Sequence, residues 1–132
     1  MLLKNITAVA LGGAAGTFLR YGINLWTLPA GYPFGTLIVN ISGSFLLGFL
    51  TAWLAAKPMP SWVTAGAGVG FCGGFTTMST LASDTVLLSA ADPYAPLFYL
   101  AVSIFGGLAA ALIGIASGTF FTKYQAKRRA GS

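Results

Sequence analysis

The chain has 132 residues, 56% of them hydrophobic and only 7% charged, with seven lysines and arginines against two aspartates. A soluble domain carries roughly 25% charged residues to cover its surface, and nine charges cannot do that. With a mean hydropathy of +0.81 the composition describes an integral membrane protein. Histidine and glutamate are absent, which excludes a Ser–His–Asp triad, histidine metal ligation and an HExxH zinc site. The two acids, Asp84 and Asp92, make a poor catalytic pair because Asp92 lies in a turn-like Asp-Pro. No enzyme is expected. Cys72 is the single cysteine, so no intrachain disulfide can form, and its apolar, glycine-rich surroundings predict a packed thiol.

Charges and prolines divide the chain into four apolar blocks within one domain. The first predicted span covers about 4–27 and holds one charge inside it, Arg20; Pro29, Gly31 and Pro33 form the connection that follows. The second covers about 34–56 and ends at Lys57, Pro58 and Pro60. The third runs over about 61–90 and is closed by Asp92-Pro93; the fourth covers about 96–122 and stops at a basic tail, 123–132. Each block supplies the ~20 apolar residues that a bilayer core requires of a helix. None shows the alternating ten-residue pattern of an outer-membrane barrel. Glycines and Arg20 interrupt the first block, which argues against a cleaved signal peptide. Four transmembrane helices are predicted.

Trp26, Trp53, Trp62, Tyr94 and Tyr99 fall near block ends, where amphipathic rings favour the headgroup level. The runs Gly12 to Gly16 and Ser42 to Gly48 offer small faces for close helix contact. Four short-looped helices are too thin to enclose a wide aqueous path, so a transport pathway would lie between subunits. With no internal repeat, its symmetry would come from dimerisation.

Block three contains Gly70-Phe71-Cys72-Gly73-Gly74-Phe75-Thr76-Thr77-Met78-Ser79-Thr80. Two readings are open. In one, the paired glycines break the helix near Gly73–Thr77, and the hydroxyls after them satisfy the freed backbone as in other ion sites. In the other, the helix continues with a glycine packing face.

The motif GGFTTMST, preceded by Gly35-Thr36-Leu37-x-x-Asn40-x-x-Gly43-x-Phe45-x-x-Gly48 and by Gly16-x-x-x-Arg20-Tyr21, resembles the Fluc (CrcB) family of fluoride channels. The resemblance covers nearly the whole chain. It implies an all-α membrane protein of four helices with the third broken, assembled as an antiparallel homodimer in the lipid bilayer. It further implies passive export of fluoride across the inner or plasma membrane, and a structural Na+ at the dimer interface.

By the same resemblance, Asn40 corresponds to the pore asparagine, and Tyr99 and Ser103 to a polar track along helix four. The next step of that track is Gly107 here, which removes one donor. Ser79 and Thr80 match hydroxyls flanking the pore. Gly73 and Thr76 match the backbone carbonyls that hold sodium. Arg20 matches a first-helix arginine, for which two roles stay open: snorkelling with a bond to loop carbonyls, or drawing anions to a vestibule. Fluoride is strongly hydrated, and neutral donors can replace its water without holding it too tightly to release. Asn40 could equally be interhelical glue, and Tyr99 and Ser103 an interface ring and a packing serine. Met78 and Leu81 occupy positions where the family carries phenylalanines whose ring edges face the anion.

An alternative function is a poorly conducting subunit that pairs with a different, active one. A small multidrug transporter would need a membrane glutamate, which this chain lacks. The basic tail could suggest nucleic acid, but beside a membrane helix it is more simply a topology signal, so no nucleic-acid partner is expected.

Overall fold

The computed structural model describes residues 1–130, which form helices and short connections. Helix α1 (Leu2–Thr27) passes through a single turn, Leu28–Ala30, that closes on Gly31 in the left-handed conformation (φ 67°). Glycine reaches that region without a Cβ penalty, which lets the chain reverse into Pro33. Helix α2 (Phe34–Ala55) returns across the molecule. Helix α3 spans 61–75 as an α-helical turn (Ser61–Thr64), a wider π-helical section (Ala65–Cys72) and a final α turn (Gly73–Phe75). After an extended residue at Thr76 (ψ 160°), α4 (Ser79–Ser89) resumes. Asp92 accepts the Tyr94 N–H at 2.8 Å and so turns the chain into α5 (Ala95–Ala130). The expected basic tail is a continuation of that helix as far as Ala130; residues 131 and 132 lie outside the described part.

Among the described residues, three helices are long and apolar enough to cross a membrane: Leu2–Ala30, Phe34–Ala55 and Ala95–Arg129. The third apolar block is not one of them, because it is divided between α3 and α4. The break also falls later than the double glycine. Gly73 is helical (φ −66°, ψ −36°), and the chain leaves the helix at Thr76–Met78. The glycines are small for packing: a Cβ on Gly74 would stand 2.4 Å from the Gly13 carbonyl oxygen. The π-helical section left no mark in the hydrophobic pattern, since glycine and alanine dominate it.

Close backbone contact joins the helices in pairs. Along α1 and α3, a Cβ at Gly12 or Gly16 would lie 2.2 Å from the carbonyl oxygens of Gly66 and Phe71. Along α2 and α5, Gly48 meets the Ala111 carbonyl and Gly114 meets that of Phe45 in the same manner. In lipid, where apolar surface gives no drive for helices to associate, such small faces supply the van der Waals contact that does. These pairings run α1 parallel to α3, and α2 parallel to α5, where Gly114 meets Phe45 and Gly118 meets Phe49. One end of the bundle therefore holds both described termini and the 56–60 connection. Trp26 and Tyr94 are exposed, as headgroup rings should be, whereas Tyr99 is not at the surface at all: it is 0% exposed, inside the bundle.

Candidate functional site

The break between α3 and α4 is held by side chains from α1 and α2. Asn40 uses both ends of its amide on Thr77: Nδ2 donates to the Thr77 carbonyl at 2.9 Å, and Oδ1 accepts the Thr77 N–H at 2.7 Å. The Thr77 N–H thus turns away from the Gly73 carbonyl four residues back, its partner in a continuous α-helix. Arg20, half-buried on α1, donates from Nη1 to the Thr76 carbonyl at 3.4 Å, and Thr17 donates to the Gly74 carbonyl at 3.3 Å. The Arg20 bond reaches one carbonyl of the break and is compatible with either role open for it.

Thr77 then starts α4. Its Oγ1 accepts the Thr80 N–H at 3.2 Å, which satisfies one of the free donors at a helix N-terminus. The same hydroxyl lies 3.0 Å from Thr80 Oγ1 and 3.3 Å from Ser79 Oγ. Asn40, Thr77, Ser79 and Thr80 form one uncharged cluster of donors at the break. Thr77 is buried and central, and the sequence reading had not singled it out. The available signal was its place as the hydroxyl three residues before Thr80, the spacing of an N-terminal cap.

A second polar cluster lies one helical turn further along α4. Asp84 accepts the Thr36 hydroxyl at 2.6 Å and the Tyr99 hydroxyl at 2.9 Å through the same carboxylate oxygen. Tyr99 has one hydrogen to donate, and here Asp84 takes it. The sequence reading named Asp84 only as a poor catalytic acid and Thr36 only within a motif, and joined neither to Tyr99. An isolated aspartate in an apolar block is itself a functional signal, because a charge at that depth needs partners. Thr36, Thr80 and Asp84 line a cavity of about 540 Å³ that also reaches Asn24, Thr27 and Tyr32. The two clusters therefore border a common space. Ser103, one turn beyond Tyr99, is buried.

Met78 and Leu81 point in opposite senses. Met78 is 76% exposed on the protomer surface, and Leu81 is 4% exposed in its interior. The structure does not bring them together as a lining. Gly73 is exposed, with nothing within 4 Å of where its Cβ would be. Cys72 is a buried free thiol, as its surroundings predicted.

A broken helix tied by an asparagine on the preceding span and an arginine on the first is the arrangement that the three motifs carry. The sequence model of the family described as CrcB-like protein, Camphor Resistance (CrcB), matches residues 7–115. The chain belongs to the CrcB family. Among CrcB-family relatives, the fluoride-specific ion channel FluC 2 of Halalkalibacterium halodurans is 51% identical over 130 residues, covering 98% of this chain and 97% of its own. FluC 2 of Bacillus subtilis is 41% identical and covers 96% of each chain. The fluoride-specific ion channel FluC of Methanopyrus kandleri is 45% identical over 86% of this chain and 88% of its own. All three similarities extend through the break and both polar clusters.

Proposed function

We propose that this chain is the subunit of a fluoride-selective channel, and not an enzyme, which carries fluoride passively out of the cell across the inner or plasma membrane. The observation that carries the reading is the uncharged donor cluster of Asn40, Thr77, Ser79 and Thr80 at a helix break. Full-length relatives named for fluoride conduction support it. Asn40 keeps one amide hydrogen beyond the one given to Thr77, and hydroxyl hydrogens can rotate toward an anion. Donors of this kind replace the hydration shell of a small anion, while a narrow passage rejects larger ones. Tyr99 contributes once its hydrogen leaves Asp84, and Ser103 continues the track along α5.

In this reading α3 and α4 together make the fourth crossing. Their lengths, roughly 20 Å and 16 Å at about 1.5 Å per residue, sum to more than the ~30 Å hydrocarbon core. Two protomers associate as an antiparallel homodimer, in keeping with the absence of an internal repeat. Sodium fits the centre of such a dimer. The Gly73 carbonyl has lost its helical partner and lies on an exposed surface, and the Thr76 carbonyl has a second lone pair beside the one facing Arg20. Gly73 and Thr76 of both protomers would hold the ion through hard, neutral oxygens, and the ion would supply positive charge against converging carbonyl dipoles.

One observation favours a second reading, a weakly conducting subunit that pairs with an active partner. Neither Met78 nor Leu81 has a polarised ring edge, and they do not share a face. Fluoride efflux from liposomes containing only this chain separates the two. Flux supports a homodimeric channel; a dimer without flux supports the paired subunit.

A further inference from the structure

The cavity shared by the two polar clusters is lined by six polar side chains: Asn24, Thr27, Tyr32, Thr36, Thr80 and Asp84. Four of them are committed within the protein. Thr27 donates back to the Ile23 and Asn24 carbonyls at 3.0 and 3.2 Å, and Thr36 donates to Asp84 at 2.6 Å. The Thr80 hydroxyl lies 3.0 Å from that of Thr77, and Asp84 is the acceptor in both of its bonds. The other two are not committed. The Asn24 amide and the Tyr32 hydroxyl bond to nothing among the described residues, although both residues are half-buried.

Packing holds these two groups where hydrogen bonds do not. Arg20, Asn24 and Thr27 follow one another at spacings of four and three, so they share one face of α1. Arg20 bonds the break, and Asn24 stands one turn nearer the end of the helix. Gly35 lets the first turn of α2 close on that face: a Cβ there would collide with Asn24 Oδ1 and stand 2.6 Å from Thr27 Oγ1. With its oxygen packed on α2, the Asn24 amide keeps two N–H donors unspent. Tyr32 follows the left-handed Gly31, and its ring is set by an edge contact on Tyr99 (6.0 Å between centres, 78°) and a tilted contact on Phe34 (4.8 Å). The ring that carries the hydroxyl is thereby fixed at the cavity wall.

Gly31 and Ala91, from the two connections at this end of the bundle, line the same cavity, whereas Thr80 leads inward to Thr77 and the break. We infer that Asn24 and Tyr32 form an entry site for fluoride, at which the ion exchanges its first waters for amide and phenol hydrogens before it reaches Thr80. The inference rests on the fluoride reading proposed above. Capture there breaks no hydrogen bond inside the protein, because neither donor has one to lose, and donors already held in place lose little freedom on binding. Asp84 on the same cavity keeps the site weak, since a carboxylate repels the ion its neighbours attract. A site on a conduction path must release its ion as readily as it binds it.

The test is nuclear magnetic resonance of the full chain in detergent micelles, isotopically labelled at asparagine nitrogen. The chain has three asparagines, Asn5, Asn24 and Asn40, so three side-chain amides are observed, and Asn24→Ala identifies one of them. Sodium fluoride is expected to shift the Asn24 amide in a saturable manner, and sodium chloride at equal ionic strength to shift it less than a third as far. Tyr32→Phe, which removes only the hydroxyl, should raise the half-saturating fluoride concentration at least threefold. In proteoliposomes the same substitution should slow efflux at least threefold at low fluoride, with a loss that shrinks as fluoride is raised. An Asn24 amide that fluoride leaves unmoved overturns the assignment. So does one that chloride moves equally, or one whose response is unchanged in Tyr32→Phe. The Asn40 amide separates that failure from failure of the fluoride reading. An Asn40 signal that moves while Asn24 does not removes the entry site alone; both signals unmoved, with no efflux from the unaltered chain, removes the channel reading with it.

Discussion

The side-chain amide of Asn40 takes the place of a helical neighbour for Thr77, donating to its carbonyl at 2.9 Å and accepting its N–H at 2.7 Å. One residue on α2 therefore satisfies both backbone groups at the point where the third apolar block stops being a helix. Without it, a donor and an acceptor would be unpaired at membrane depth, at about 1–3 kcal/mol for each.

Asn40→Asp keeps the acceptor for the Thr77 N–H but sets a carboxylate oxygen against the Thr77 carbonyl and a negative charge beside an anion path. Fluoride flux from proteoliposomes is expected to fall at least tenfold while the size-exclusion profile stays unchanged. Flux at the original rate would remove Asn40 from the pathway.

Met78 and Leu81 should respond differently to restored phenylalanines. Met78→Phe places a ring on an open surface and is expected to raise flux with little change in thermal stability. Leu81→Phe forces a larger side chain into a filled interior and should cost about 1–3 kcal/mol. Paired flux and melting measurements check both; a rise in flux from Leu81→Phe alone would reverse the assignment.

The glycines divide into tolerant and intolerant sites. Gly16→Ala drives a Cβ to 2.2 Å from the Phe71 carbonyl oxygen and must spread α1 from α3, so the melting temperature in detergent should drop markedly. Gly73→Ala meets nothing within 4 Å in the protomer and should leave its fold intact. If the sodium reading holds, Gly73→Ala instead lowers the dimer fraction, measured by chemical crosslinking in bilayers.

Orientation is the remaining prediction. Six basic residues at the terminal end draw that end toward the cytoplasm by the positive-inside rule. An antiparallel homodimer nevertheless needs both orientations in comparable numbers. A cysteine placed ahead of Met1 should be labelled from both sides of intact membranes, against a low background because Cys72 is buried. Labelling from one side only would favour the paired-subunit reading.

The sequence by itself determined the membrane class, the apolar blocks and their connections, because length and hydropathy respond to the bilayer alone. Its three motifs also led to the family, and singled out Asn40 as a pore or interhelical residue and Arg20 as a snorkelling or vestibule one. Only the tertiary structure decided where the helix parts, because the break depends on Asn40 and Arg20, 37 and 56 positions away from the backbone groups they bind. It likewise joined Thr36, Asp84 and Tyr99, on three different helices, through one carboxylate oxygen. Hydropathy records whether a residue leaves water. It does not record which distant group will satisfy its hydrogen bonds once it has, and that choice made Thr77 a hub, buried Tyr99 and turned Met78 outward while Leu81 turned in.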